Sequence, residues 1–137
     1  MAGRHIATVT AVVVCLVAAG SAGGADGVRS TITRQDAKAT FNARNLTSEI
    51  EACFTDTMDY GRCRSAAVLN QGMGEFAVPI GSRPGQALVA RATRETYTID
   101  SYSRSGNHFL MVRSSSGLLS RKCTRRGRGL CRNSGRW

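Results

Sequence analysis

The chain has 137 residues and a mass of 14.6 kDa, with nineteen Lys and Arg against nine Asp and Glu, a formal charge of +10. That length suits one domain and excludes large catalytic folds such as a (β/α)8 barrel, which needs about 250 residues. A hydrophobic fraction of 42% allows a packed core, and two histidines leave little raw material for His-based or metal chemistry.

The chain opens with Met1 to His5, which carries one Arg and one His. Ile6 to Ala19 follows, fourteen residues whose polar members are Thr8 and Thr10, and then the small residues Gly20 to Ala25. This order predicts a secretory signal over residues 1–25, cut after Ala22 or Ala25, and a mature domain over 26–137. The rival reading is an uncleaved membrane anchor, although the run is shorter than the roughly 20 residues that span a bilayer comfortably. Cys15 lies in the apolar run and leaves with a cleaved signal.

Four cysteines then remain: Cys53, Cys63, Cys123 and Cys131. An even count in a small exported domain predicts disulfides. Three connectivities are open. The local pairs Cys53–Cys63 and Cys123–Cys131 are favoured because each flanks a turn. No C-x-x-C spacing and no neighbouring His suggest zinc or a catalytic dithiol, and no cofactor is expected.

Within the mature chain, Ala39, Ala43, Leu46, Ile50 and Cys53 recur at steps of three and four. The spacing predicts a helix from about Ser30 to Thr57 with one apolar stripe. Thr33 and Asp36 have capping-box spacing at its start, and Asp59-Tyr60-Gly61 ends it. Residues 61–86 read mostly as loop. Three strand candidates follow, Gln86–Thr93, Thr96–Ser103 and His108–Arg113, with a hairpin turn at Ser105-Gly106-Asn107, and Gly117–Cys123 is a candidate fourth. Their short connections predict an antiparallel meander. The fold class is α+β, a long N-terminal helix on a three- to four-stranded antiparallel sheet.

The segment Asn42-Ala-Arg-Asn-Leu-Thr-Ser-Glu-Ile-Glu-Ala-Cys53-Phe-Thr-Asp-Thr-Met-Asp-Tyr60-Gly-Arg-Cys63 resembles the helix end and first loop of actinobacterial type IV pilin-like proteins. Thr96 to Asn107 resembles their central hairpin. Cys123-Thr124, a Gly-rich turn, Cys131, Gly135 and Trp137 resemble their disulfide-bounded C-terminus. The resemblance covers about residues 36–137. It implies a non-enzymatic cell-surface protein, a component of a type IV pilus-related system whose partners are pilin subunits or pilus assembly proteins. It departs at the N-terminus. Where a prepilin has Gly before an aromatic residue and a Glu five positions on, this chain has Gly3-Arg4-His5 and Thr8. The resemblance therefore implies a minor or assembly-deficient member, held at a membrane only if the N-terminal segment is retained.

No enzyme constellation stands out: there is no G-x-S-x-G elbow, and His108 sits in a strand beside a turn. Glu49 and Glu51, two apart on a helix, point to different faces. Asp56 and Asp59 read as helix-end and turn residues. The sharpest feature is the tail. Arg121, Lys122, Arg125, Arg126, Arg128, Arg132 and Arg136 are seven positives in seventeen residues with no acid. Residues 26–60 hold six acids and four bases, whereas residues 61–137 hold fourteen bases and three acids. A Cys123–Cys131 clasp would present Arg125, Arg126 and Arg128 on one tight loop able to bind phosphates without reading sequence. Trp137 would then be free to stack on a base or sugar. The expected ligand is extracellular DNA or an anionic cell-wall polymer. A freely secreted cationic binding protein is the alternative to a pilus component.

Overall fold

A long helix forms first in the chain because Val28 to Met58 contains neither Pro nor Gly and repeats small apolar residues at helical spacing. In the structure, a computed structural model that describes residues 24–71, 74 and 77–137, this is α1 (Gly24–Thr57). Its buried face consists of Asp36, Ala39, Thr40, Asn42, Ala43, Leu46 and Ile50. The stripe expected from sequence is thus the face that meets the sheet. Of the segment read as a signal or anchor, residues 1–23 lie outside the described residues, and Gly24 and Ala25 are helical. Among the described residues no helix is long and apolar enough to cross a membrane.

Asp36 corrects the expected helix start. It lies well inside α1, so Thr33 and Asp36 are not a capping box. The carboxylate is turned away from its own helix. Oδ1 accepts from the hydroxyls of Ser103, at 2.7 Å, and Ser105. Oδ2 accepts from the backbone N–H of Leu130 at 3.1 Å.

At Met58 the backbone turns left-handed, with φ 51°, and α1 stops. Asp59 caps the next turn, a 3-10 turn over Tyr60–Arg62, by accepting from Gly61 N at 2.8 Å. The stretch read as loop contains a further single-turn helix, α2 (Ala66–Leu69), capped by Ser65. Asn70 closes it: its side chain exchanges two 3.0 Å hydrogen bonds with the backbone of Val78. This order rests on one amide side chain, not on hydrophobic periodicity, so it left no pattern in the sequence.

Four strands follow in the order of the chain, β1 (Ala87–Ala92), β2 (Tyr97–Tyr102), β3 (His108–Arg113) and β4 (Leu119–Cys123), all antiparallel. Ala87, Val89, Tyr97, Ile99, Phe109 and Met111 point at α1 and are buried. Strict alternation along β1 would bury Arg91 as well. A bulge between Val89 and Arg91 prevents this: Arg91 pairs with Thr98, and Ala92, opposite Tyr97, packs on the core instead. The core runs from Ala43, Leu46 and Ile50 to Val89, Ile99 and Met111, with Leu69 and Val78 covering one end. Phe109, Ala39 and the cysteines Cys123 and Cys131 form a second cluster, joined to the first by Trp137.

Both favoured disulfides are present. Cys53–Cys63 ties the end of α1 to the following turn, and Cys123–Cys131 closes the C-terminal loop, with Cα–Cα separations of 5.9 and 5.7 Å. Loops this short are worth about 2–3 kcal/mol each in the chain-entropy account.

Replacing Asp36 by Ala strands the buried Ser103 hydroxyl and leaves the half-buried Ser105 hydroxyl and Leu130 N–H without their acceptor. A fully buried donor left unpaired costs about 1–3 kcal/mol and a half-buried one less. The Asp36→Ala chain should lose roughly 3 kcal/mol in urea unfolding, and Asp36→Asn, which keeps one acceptor, distinctly less. A loss below about 1 kcal/mol for Asp36→Ala would show that the three donors find other partners.

Candidate anion-binding surface

The disulfide-closed loop is built around Asn107, which is buried at the end of the β2–β3 turn. Its Oδ1 accepts from Arg125 N at 2.9 Å and from Thr124 Oγ1 at 3.1 Å. Its Nδ2 donates to the Arg128 carbonyl at 3.4 Å. With Leu130 held on Asp36 and Cys131 bonded to Cys123, the loop is pinned at both ends and through its middle. Gly129, at φ 60°, is needed for the approach: a Cβ there would run into Asp36 Oδ2.

Arg125, Arg126 and Arg128 all lie exposed on this loop, and none pairs with a carboxylate among the described residues. They are not equally free. The Arg125 guanidinium donates to the Ser105 carbonyl at 3.2 Å and covers Gly106. Arg126 lies against Gly135, and Arg128 shares a cavity with Arg29 of α1. Arg132 and Arg136 are exposed on the last turn, bridged by a backbone hydrogen bond of 2.9 Å.

The other basic residues of the tail are separated by strand alternation. Arg121 sits opposite Met111, on the side of α1, whereas Lys122 sits opposite Leu110 on the outer face. Arg121 is drawn to Trp137. Its guanidinium carbon is 5.2 Å from the indole centroid, and that of Arg44 is 5.4 Å away. Trp137 also meets Phe109 edge to face at 5.7 Å. The tryptophan read as a stacking platform is therefore packed onto the core between two cations, and a base would have to displace one of them.

Cations that sequence reasoning passed over join this end of the molecule. Residues 24–44 of α1 hold four bases, Arg29, Arg34, Lys38 and Arg44, and two acids, one of them the buried Asp36. Residues 45–57 hold three acids and no base. The weakly acidic average of the helix hides this division. Arg34, Lys38 and Arg104 line one cavity of about 400 Å³ between α1 and the loops at Gly85 and Arg104.

The acidic end has a different function. Glu51, on a different helix face from Glu49, accepts from Tyr60 OH and Tyr97 OH, both at 2.7 Å, and from Arg113 Nη1 at 3.0 Å. Burial, then the bond to Glu51, pushes the Tyr60 phenol up to about 12, and the same causes raise Tyr97. Elsewhere, His108 Nδ1 lies 3.3 Å from Asp100 Oδ2, with its ring edge-on to Tyr102 on the outer sheet face. Compared with known proteins, the chain matches no protein-family model, no curated protein and no solved structure.

The tyrosines make stability fall in alkali. Unfolded, Tyr60 ionises near 10.0; folded, it holds its proton to about 12. Its contribution is complete below the lower value and is lost as pH rises through the upper one, because the unfolded chain has by then released a proton that the native chain retains. Urea midpoints should drop across that window, and Tyr60→Phe/Tyr97→Phe should flatten the drop. An equally steep drop in the double variant would assign the alkaline instability to other groups.

Proposed function

We propose that this protein is a non-enzymatic, exported cell-surface module of the pilin-like kind that binds an anionic polymer through its disulfide-closed arginine loop. The observation that carries the reading is the loop itself. Arg125, Arg126 and Arg128 are held on a backbone fixed by Asn107, Asp36 and Cys123–Cys131, with no carboxylate paired to them among the described residues. A loop whose backbone is already held loses little further backbone freedom on meeting phosphates, and its exposed arginines carry charge that no carboxylate neutralises. Contacts from these arginines to backbone phosphates would hold a polymer without reading its sequence. The pilin-like part of the reading rests on the resemblance of the Cys53–Cys63 and Cys123–Cys131 segments. It is consistent with the helix-on-sheet architecture.

Fluorescence anisotropy with a short labelled DNA duplex tests the loop. Binding should weaken steeply with salt, each phosphate contact contributing about −0.9 to the slope of log K against log salt. Arg125→Ser/Arg126→Ser/Arg128→Ser should make that slope shallower by roughly 2 to 3. An unchanged slope would remove the loop from the interface. The mass of the chain recovered from its native source separates the two settings: a retained N-terminal segment favours the pilus component, a cleaved one the secreted binder.

A further inference from the structure

The cavity of about 400 Å³ beside α1 is assembled from three separate pieces of chain. Arg34 and Lys38, four residues apart, stand on one face of α1 and form one wall. Arg104 projects from the β2–β3 turn and forms the other. Ala39 and Gly85 supply an apolar floor, and Gln35 adds an amide.

The backbone at Arg104 is held by its neighbours, and its side chain is exposed. Ser103 and Ser105, on either side of it, both donate to Asp36, and Ser103 N donates to the Asn107 carbonyl at 2.9 Å. Gly85 is equally constrained. Its N–H donates to the Tyr102 carbonyl at 2.6 Å, its own carbonyl accepts from Asn42 Nδ2 at 3.0 Å, and its φ is 92°. Gly85 lies beside the Arg104 side chain: a Cβ there would be at ordinary contact distance, 3.4 Å, from Arg104 Nε, and the positive φ is what favours glycine.

No carboxylate lines the cavity, and none of the three cations forms an ion pair among the described residues. Three like charges lining one solvent-open space repel one another, weakly because water screens them, and an anion between them is attracted by all three. A carboxylate offers one charge and two oxygens. A phosphomonoester carries about −1.5 to −2 at neutral pH and three terminal oxygens, which suits three cations arriving from two sides. The volume exceeds what a bare phosphate fills and falls within the range of small-ligand sites.

We infer that this cavity is a binding site for an organic phosphomonoester of about the size of a phosphorylated sugar. Arg34, Lys38 and Arg104 take the phosphate, and Gln35 faces the hydroxyl-bearing body. The inference goes beyond the polymer-binding reading and does not depend on it, because none of the three cations belongs to the Cys123–Cys131 loop.

Isothermal titration of the full chain with ribose phosphate, inorganic phosphate and unphosphorylated ribose, at matched ionic strength, tests it. Ribose phosphate should bind saturably at one site, more tightly than inorganic phosphate, and ribose should not bind. Arg104→Gln or Lys38→Gln should each weaken binding about tenfold, as expected for a charge-assisted hydrogen bond. Arg34→Gln/Lys38→Gln/Arg104→Gln should abolish it, with an unchanged near-ultraviolet dichroism spectrum to show that the fold is kept. Arg125→Ser/Arg126→Ser/Arg128→Ser, which tests the polymer loop, should leave it intact. An oligonucleotide with and without a terminal phosphate distinguishes the source. A gain from the terminal phosphate places the ester on a polymer end; no gain, with ribose phosphate bound, places it on a free small molecule. Absence of saturable phosphate binding, binding retained by the triple Gln variant, or equal loss in the loop variant would overturn the site. Equal affinity for inorganic phosphate would overturn the sugar-sized ligand.

Discussion

Asp36 joins three parts of the chain at one buried point. From α1 it accepts the hydroxyls of Ser103 and Ser105 in the β2–β3 turn and the N–H of Leu130 in the C-terminal loop. A buried polar group without partners is costly, so this carboxylate and its three donors are stable only together. The consequence is positional. The turn that carries Arg104 and the loop that carries Arg125, Arg126 and Arg128 are both referred to the same residue of the same helix. The cationic surfaces on either side of α1 therefore have a common anchor.

Glu51 serves the other end in a looser way. It is partly exposed and gathers Tyr60, Tyr97 and Arg113, linking the turn after α1 to strands β2 and β3. Phe54 stacks on Tyr60 at 4.1 Å, and Arg113 lies 5.6 Å from the Tyr60 ring centroid, so the carboxylate closes an aromatic cluster. The Cys53–Cys63 bond borders it. Two helix carboxylates thus hold the sheet at two places, each backed by a disulfide. In a domain of this size the apolar core alone is small, and such staples supply what area cannot.

The distribution of charge follows from this architecture. Bases outnumber acids in the first part of α1 and in residues 121–137, and the last part of α1 holds three acids and no base. Of the three acids there, Glu51 is engaged with the tyrosines, whereas Glu49 is half-buried and Asp56 is exposed. The bases at the opposite end are mostly without acidic partners. A polyanion approaching the molecule meets a cationic surface at the C-terminal loop and, at the other end, acids mixed with Arg62, Arg64, Arg94 and Arg113, which favours encounter at the loop.

The sequence by itself determined what depends on neighbours along the chain. The apolar stripe Ala39, Ala43, Leu46 and Ile50 defined the sheet-facing side of α1, and β-rich segments with short turns defined an antiparallel meander of three strands, to which the structure adds β4. The local disulfide pairs were also legible, with separations of 10 and 8 residues, because each closes a single turn. The bulge that turns Arg91 outward was not legible, since only pairing with β2 shows where the alternation breaks. Nor were Asp36 and Glu51. Their partners lie 67, 69 and 94 residues away for Asp36, and 46 and 62 for two of those of Glu51, and no periodicity spans such distances. The tertiary structure alone decided that Arg34 and Lys38 face Arg104, and that Trp137 is packed rather than free. Hydrophobic pattern records which face of an element is buried. Which polar side chains meet across the fold is set only when the elements pack.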